Sequence, residues 1–206
     1  MPSDREGPIA GILLAAGLSS RMGSNKLLFE VEVEGETLLR RSARRALAGG
    51  LDPLLVVLGH EAERTGRELA GLPCQVVLHP GYEQGITTSV QAGVAALPAG
   101  TLAAMVLLAD MPHVTPEMIS ALIARYRSSA APLVISDYEG VNAPPMLYDR
   151  TLFDELLGMT AARCGKQVVK RHRDEAEVLS WPAAALADLD VPEDYERLLA
   201  GGSHAR

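Results

Sequence analysis

Short apolar runs alternate with longer amphipathic segments over roughly the first two thirds of the chain, and this alternation constrains the fold more than any other feature. Each run is rich in Leu, Val, Ile and Ala and is flanked by residues that break strands. Such runs are typical of strands buried on both faces of a parallel sheet. The predicted strands are residues 9–14, 54–58, 75–78, 104–108 and 133–136, and the predicted helices are residues 37–48, 61–70, 87–97 and 116–128.

The alternation predicts an α/β fold with a three-layer, doubly wound, mostly parallel, Rossmann-like sheet. A chain of 206 residues fits one domain over residues 1–206, with residues 1–7 and 201–206 expected to be frayed. In open sheets of this type, ligands bind beyond the carboxyl ends of the strands. After Pro144 and Pro145 the order is less regular, with helices expected at 151–157, 161–172 and 192–200 and an extended segment at 178–180.

Charge and hydropathy exclude several classes of partner. The net charge is −7, whereas a protein that binds a nucleic-acid backbone normally carries a basic face. No apolar run reaches the roughly 18 residues that a membrane helix needs. The first six residues have neither the basic nor the apolar region of a secretory signal, so a cytoplasmic location is expected.

The stretch from Ile12 to Leu28 is the first to point to a chemistry. An apolar run stops at Gly17, and a polar loop containing Arg21 and Lys26 follows. Consecutive backbone N–H groups in such a loop can wrap an anion, and the two cations add positive charge, so the pattern indicates a triphosphate cradle. The spacing fits neither a P-loop nor the dinucleotide fingerprint. The alternative is an ordinary turn between a strand and a helix with two solvated cations.

This loop, L-A-A-G-L-S-S-R-M-G-S-N-K over residues 14–26, closely resembles the signature loop of the MobA-like nucleotidyltransferases, which attach a nucleotide to molybdopterin. The resemblance implies the fold of the nucleotide-diphospho-sugar transferases and a loop that wraps the triphosphate of an incoming nucleotide. It also implies that Arg21 and Lys26 contact the phosphates and are the catalytic residues. The nucleotide-binding residues implied in the loop are Leu14, Ala15, Ala16, Gly17, Ser19, Arg21 and Lys26.

A predicted strand runs directly into Asp110, and Pro112 prevents its continuation. A carboxylate at the end of a strand can hold Mg²⁺ together with phosphate oxygens. The alternative is that Asp110 only caps the turn that follows. The family has the same D-M-P, which implies that Asp110 is a metal ligand. Residues 188–194, D-L-D-V-P-E-D, resemble the family's D-I-D-T-P-E-D, which implies Asp190 as the second ligand of Mg²⁺, with Mn²⁺ as a substitute.

Residues 79–89 lead from a predicted strand into a predicted helix whose first turn carries hydroxyl groups. Helix N-termini offer free N–H groups to anions and polar ligands, although the hydroxyls could also serve only as caps. The resemblance implies that Gly85, Thr88 and Ser89 line the base and ribose side of the nucleotide pocket. Ala16 gives the loop the A-A-G of cytidylyl-transferring members, which favours CTP over GTP.

The acceptor side of the site matches the family less closely. Pro145 and Tyr148 match the family's G-x-P-x-x-[FY] and are the implied acceptor-binding residues, but residues 161–167 lack the Asp of its G-D-x-G-A-R element. The predicted function is therefore transfer of a nucleoside monophosphate, CMP in first place, from an NTP to a phosphorylated acceptor, molybdopterin in first place. A sugar, polyol or lactate phosphate as acceptor, GTP as donor, and a non-catalytic nucleotide-binding partner for molybdoenzyme maturation remain alternatives.

Four arginines lie on the predicted helix at 37–48, at Arg40, Arg41, Arg44 and Arg45. They could form an anion-binding or partner surface. The simpler interpretation is a solvated helix face with i,i+4 charge spacing.

Overall fold

The computed structural model describes residues 5–18, 24–31, 35–160 and 164–187. Its centre is an eight-stranded mixed sheet, in the order β3-β2-β1-β4-β7-β5-β6, with β8 also paired to β5. The strands are β1 (Ile9–Ala15), β2 (Leu54–Leu58), β3 (Cys74–Leu78), β4 (Ala103–Leu108), β5 (Leu133–Tyr138), β6 (Val141–Asn142), β7 (Met146–Asp149) and β8 (Glu177–Trp181). The helices are α1 (Leu38–Ala48), α2 (Ala62–Arg67), α3 (Ile86–Ala95), α4 (Pro116–Ser128), α5 (Phe153–Leu157) and α6 (Cys164–Arg171).

Four of the five predicted strands, which correspond to β1, β2, β3 and β4, form the parallel half of the sheet. β1 pairs in parallel with both β2 and β4, and β2 pairs in parallel with β3. Every residue of β1 and β2 is buried, because helices cover both faces of the sheet. The prediction of a mostly parallel, three-layer α/β fold is confirmed.

The other half of the sheet contains an antiparallel element that the sequence analysis did not predict. β7 lies between β4 and β5 and is antiparallel to both of them. A tight turn at Glu139 and Gly140 joins β5 to β6, and both turn residues have positive φ, of 51° and 94°. Positive φ at both central residues is the geometry of a type I′ hairpin turn. The chain therefore reverses before Pro144 and returns beside β4.

Helices α4 and α1 each begin directly after a threonine that caps them. The hydroxyl of Thr115 accepts a hydrogen bond from the backbone N–H of Met118 at 3.3 Å, and Pro116 opens α4 at its predicted first residue. Thr37 caps α1 in the same way. Helix α2 ends at Arg67, three residues before the predicted end, and the chain then continues in short turns. The helix expected at 192–200 lies outside the described residues.

Two hydrophobic clusters flank the sheet. One packs α1 and α4 against one face and the other packs α3, α5 and α6 against the opposite face. Helix α3 lies so close to β1 that a Cβ built on Gly93 would be 2.3 Å from Cγ2 of Ile12. This contact fixes the helix whose first turn carries the predicted nucleotide-binding residues. Within the described part of the chain, none of the helices has the length and apolar character to span a bilayer.

A buried polar network joins the N-terminal segment to the core. The hydroxyl of Tyr126 donates to the Asp149 carboxylate at 2.5 Å, and Thr151 donates to the same carboxylate through its backbone and side chain. The guanidinium of Arg5 lies 4.3 Å from the centre of the Tyr126 ring and 3.8 Å from the carboxylate. Burial alone would raise the pKa of Asp149, but these hydrogen bonds and the Arg5 cation outweigh it, so the pKa lies below its usual value.

This lowered pKa predicts a pH dependence of stability. Because the folded-state pKa lies below the unfolded value of about 3.9, Asp149 contributes stability that is present above that value and is lost as the pH falls through the folded pKa. Replacing Tyr126 with Phe removes a donor to the carboxylate and moves the folded pKa upwards. We expect Tyr126→Phe to lower the free energy of unfolding at neutral pH by about 1.5–3 kcal/mol and to make stability less dependent on acid pH.

Urea unfolding between about pH 3 and pH 7 measures both effects. Tyr138→Phe is the matched control, because the hydroxyl of Tyr138 donates to the neutral carbonyl of Pro144. The control should lose about 0.5–1.5 kcal/mol and keep the wild-type pH dependence. Equal pH profiles for Tyr126→Phe and the wild type would contradict the role given to the network.

Candidate active site

A cleft of about 340 Å³ opens at the carboxyl ends of β1 and β4. Most of the predicted nucleotide-binding residues that the structure describes contribute to its lining, and Asp110 does so as well. Ser19, Arg21 and Asp190 were predicted to belong to the same site and lie outside the described residues. The lining consists of Leu14, Ala15, Ala16, Gly17, Leu18, Lys26, Leu27, Tyr82, Glu83, Gly85, Ile86, Ser89, Leu108 and Asp110.

An ion pair between Lys26 and Asp110 stands in this cleft. The Nζ atom of Lys26 lies 2.6 Å from Oδ2 of Asp110, and both side chains are largely buried. The two residues are distant in sequence, and the parallel pairing of β1 with β4 brings the segments that follow these strands together. The structure therefore places the predicted phosphate-binding lysine and the predicted metal ligand at one point.

A short 3-10 turn orients Lys26 in the cleft. Asn25 caps the turn by accepting the backbone N–H of Leu27 on its side-chain oxygen at 3.2 Å. Asn25 is itself buried, at 4% exposure, so the residue next to the lysine is fixed in the protein interior. Because Asn25 fixes the backbone directly before Lys26, the lysine side chain extends from an ordered turn.

The second wall of the cleft is the turn from Tyr82 to the start of α3. Gly85 adopts φ 105°, a conformation that glycine accepts without strain, and Ile86 then opens the helix. The side chain of Ile86 remains 52% exposed, whereas Ser89 is buried one turn further on. The wall therefore presents an apolar edge with polar groups behind it, which suits the nucleoside part of a nucleotide better than its phosphates.

Thr88 supports this wall through its hydroxyl group. The hydroxyl donates to the carbonyl of Gly85 at 2.9 Å and also lies 2.9 Å from Nε2 of His79. Because its single hydrogen is used by Gly85, the hydroxyl accepts from His79, which fixes the proton of the imidazole on Nε2. Burial lowers the pKa of His79 and favours this neutral form. Thr88 thus holds the turn and is not part of the cleft lining.

Tyr82 forms part of the wall that the sequence analysis did not single out. Its ring packs on the backbone of Gly59, where a Cβ atom would lie 2.5 Å from the ring. The sequence could have indicated this residue, because Tyr82 and Glu83 lie within the stretch 79–89, which contains residues that were already predicted to line the site. A glycine directly after a buried strand is also a typical sign of close packing at that point.

The predicted acceptor-binding residues lie in the core. Tyr148 is 5% exposed, and its hydroxyl is directed at the sulfur of Met146, at 3.5 Å. The carbonyl of Pro145 accepts the hydroxyl of buried Ser136 at 2.7 Å. Both residues are enclosed because β7 is paired on both sides, and neither lines the cleft. The structure does not bring Pro145 and Tyr148 together with the other predicted site residues.

The arginines of α1 contact the protein itself. Arg40 donates to the carbonyls of Glu68 and Ala70, and Arg44 forms a bidentate pair with Glu36. Arg45 donates to two carbonyls in the turn that follows Asp110. All three arginines therefore make intramolecular contacts, and of the three only Arg44 is exposed, with 57% of its side chain accessible.

The donor set fits a magnesium ion that arrives with a nucleotide. Within the described ranges, no group of three or more His, Cys, Asp or Glu residues could form a metal cage. Asp110 offers a carboxylate in the cleft beside a lysine. Mg²⁺ is usually held by one or two carboxylates together with substrate phosphates and water, so a site of this kind needs no cage.

Comparison with known proteins agrees with this geometry. The model of the MobA-like NTP transferase domain matches residues 11–176. The chain belongs to this family. It is 30% identical over 200 residues to the purine catabolism protein PucB of Bacillus subtilis, covering 91% of this chain and 94% of that protein. It is 26% identical over 176 residues to the nicotine blue oxidoreductase of Paenarthrobacter nicotinovorans, covering 80% and 82%.

A solved structure shows the same fold over nearly the whole chain. The crystal structure of Rv0371c from Mycobacterium tuberculosis H37Rv superposes with a TM-score of 0.80 at 25% identity, covering 94% of this chain and 98% of the other. Rv0371c therefore shares the fold of this chain over nearly its whole length. The predicted family and fold are both confirmed.

The contact between Gly59 and Tyr82 gives a test of the cleft wall. A methyl group at position 59 would meet the ring at 2.5 Å, so Gly59→Ala must displace Tyr82. We expect nucleotide affinity to fall about tenfold or more and stability to fall by about 1–3 kcal/mol. Isothermal titration with an NTP and urea unfolding measure the two effects.

Gly66→Ala in α2 is the control for this substitution. The added Cβ would meet Leu58 at an ordinary 3.5 Å, so the change should be neutral or slightly stabilising. Unchanged nucleotide affinity in a folded Gly59→Ala variant would remove Tyr82 from the binding wall.

Proposed function

We propose that the protein is a Mg²⁺-dependent nucleotidyltransferase that moves a nucleoside monophosphate from an NTP to a phosphorylated acceptor and releases pyrophosphate. The observation that carries the proposal is the meeting of Lys26 and Asp110, 2.6 Å apart, in a cleft at the carboxyl ends of β1 and β4. A cation for phosphates and a carboxylate for a metal are the two groups that phosphoryl-transfer chemistry needs side by side. Membership of the MobA-like NTP transferase family supports the same reaction class.

The chain's own residues would act by positioning and by neutralising charge. The loop that follows β1, with Arg21 and Lys26, would hold the β- and γ-phosphates. Asp110, with Asp190 as its partner, would hold Mg²⁺. The metal, when bound, neutralises charge that develops on the leaving pyrophosphate. An oxygen of the acceptor's phosphate attacks the α-phosphorus, the bond to the bridging oxygen breaks, and pyrophosphate leaves with the electron pair.

No general base is required for this reaction, because a phosphate monoester is already an anionic nucleophile. The rate would then depend on the alignment of the two substrates and on the electrostatics of the cleft. This agrees with a lining in which Lys26, Glu83 and Asp110 are the charged side chains among the described residues.

We propose CTP as the nucleotide. Ala16 lies in the cleft lining at 5% exposure, and its methyl group would narrow the space for a larger purine base. One methyl group is worth about 1–3 kcal/mol of discrimination, so the preference over GTP is expected to be graded rather than absolute. GTP is therefore the second candidate.

Molybdopterin is the proposed acceptor, on the strength of the family. A sugar, polyol or lactate phosphate is the second candidate, since the two residues predicted to contact the acceptor are enclosed in the core. A non-catalytic role, in which the protein binds a nucleotide and helps a molybdoenzyme mature, is the alternative from another class. Catalysis is favoured because Lys26 and Asp110, two residues that the transfer reaction would use, lie together in the cleft.

One assay separates these possibilities. The protein is incubated with Mg²⁺, each of the four common NTPs, and molybdopterin or another phosphorylated acceptor, and pyrophosphate release is measured. Pyrophosphate with CTP and molybdopterin is the expected result. Pyrophosphate only with another acceptor would correct the acceptor, and nucleotide binding without pyrophosphate for any combination would favour the accessory role.

Lys26→Ala tests the phosphate contact. Removing one fixed cation from the triphosphate should lower kcat by about 10²–10³-fold, by analogy with the loss of one oxyanion donor. Lys170→Ala on the exposed face of α6 is the control and should retain wild-type turnover. A Lys26→Ala variant within a few-fold of the wild type would exclude the lysine from transition-state stabilisation.

Asp110→Asn tests the metal ligand. The amide keeps the shape of the side chain but loses the negative charge that holds Mg²⁺, so Mg²⁺-dependent turnover should fall below detection. Turnover is measured against Mg²⁺ concentration, with Asp154→Asn on the exposed surface of α5 as control. An Asp110→Asn enzyme that is half-saturated at the wild-type Mg²⁺ concentration would show that the carboxylate is not a ligand.

A further inference from the structure

Helix α1 reaches across to the turn that carries Asp110 and bonds to its backbone. The hydroxyl of Ser42 donates to the carbonyl of Ala109 at 2.9 Å. The Nη1 atom of Arg45 donates to the carbonyl of Pro112 at 2.6 Å and to that of Val114 at 3.1 Å. These bonds join residues more than sixty positions apart, on both sides of the aspartate.

The turn has little internal hydrogen bonding of its own. Pro112 has no backbone N–H to donate. The two local bonds that the turn makes are long, at 3.4 Å from the N–H of Met111 to the carbonyl of Leu108 and 3.3 Å from the N–H of Val114 to that of Met111. The carbonyls must nevertheless be satisfied, because the residues around Asp110 are buried. The bonds from α1 supply what the turn lacks.

The helix that provides these bonds is firmly held. Four of its apolar residues are completely buried against the sheet and α4: Leu38, Leu39, Ala43 and Ala46. At its end, a Cβ on Gly49 would lie 2.5 Å from Ile119 of α4, and the hydroxyl of Ser120 donates to the carbonyl of Gly49. Arg45 and Ser42 therefore project from a rigid support towards a weakly self-bonded turn.

We propose that Arg45 and Ser42 are positioning residues for Asp110. They fix the backbone on either side of the aspartate and thereby determine the position of its carboxylate relative to Lys26 and to Mg²⁺ when it binds. This inference rests on the proposed role of Asp110 as a metal ligand. It also gives a role to Arg45 in the arginine-rich helix: its guanidinium is directed at the active-site turn.

The expected consequence is a loss of metal affinity without loss of the fold. Residues that orient a metal ligand typically change metal affinity by about 10–100-fold when they are removed. Nucleotide binding in the absence of metal should change little, because the loop that holds the phosphates follows β1 and does not pass through this turn. Replacing a residue that only stabilises the fold would not weaken metal binding while leaving nucleotide binding unchanged.

The experiment compares Arg45→Met, Arg45→Lys and Ser42→Ala with the wild type and with Arg44→Met. Arg44 is the matched control, because it lies on the same helix but pairs with Glu36 at the surface. Mn²⁺ affinity is measured by electron paramagnetic resonance with CTP present, nucleotide affinity by calorimetry without metal, and order in the turn by amide hydrogen exchange of residues 108–115. The dependence of kcat and KM on Mg²⁺ is measured alongside.

We expect Arg45→Met to weaken Mn²⁺ binding by about tenfold or more, to raise the Mg²⁺ concentration for half-maximal turnover equally, and to speed exchange in the turn. Ser42→Ala should do the same to a smaller degree, Arg45→Lys should restore part of the affinity, and Arg44→Met should match the wild type. Ser42→Ala and Arg45→Lys decide the question if Arg45→Met does not fold.

Three results would overturn the inference but not the proposed function. The first is wild-type Mn²⁺ affinity in folded variants whose turn exchanges faster, and the second is wild-type amide exchange of the turn in the Arg45 and Ser42 variants. An equal loss of affinity in Arg44→Met would also overturn it, since a general charge effect would then be the cause. By contrast, Mn²⁺ affinity that is unchanged in Asp110→Asn would remove the metal role on which the proposed function rests, and the inference with it.

Discussion

The parallel pairing of β1 with β4 is the constraint on which the site depends. The register aligns Leu14 with Leu108, so the two strands end at the same level of the sheet. The loop after β1 and the turn after β4 consequently leave the sheet side by side, and the N–H of Ala109 even continues the pairing to the carbonyl of Leu14. A shift of one residue in this register would reverse the facing of every side chain and separate Lys26 from Asp110.

The two helical layers brace this edge of the sheet from opposite faces. On one face α1 bonds to the turn that carries Asp110. On the other face α3 packs on β1 through Gly93, with its first turn at the cleft. Each wall of the cleft is thus a loop or turn, a kind of segment that tolerates changes in sequence. The position of each wall is set by a packed helix, and that helix cannot move far without disrupting the close packing of the core.

The sequence was sufficient where local chemistry decides structure. The apolar runs located β1, β2 and β4, and Thr115 with Pro116 located the start of α4. It was insufficient where pairing is decided by distant partners: β7 could not be recognised as a strand, because its place between β4 and β5 depends on both of them. Tyr148 shows the same limit, since a motif match conveys residue type but not burial, and this tyrosine is in the core.

The two walls of the cleft are positioned by different elements. On one side, the positions of Lys26 and Asp110 follow from the sheet register and from the bonds between α1 and the turn that carries Asp110. The opposite wall, from Tyr82 to Ser89, presents an apolar edge at Ile86 and is held by Thr88 and Gly59. None of the residues that line the cleft belongs to β7 or to the described segments that follow it. The residues that line the cleft all lie within residues 11–176, the part of the chain that matches the MobA-like NTP transferase domain.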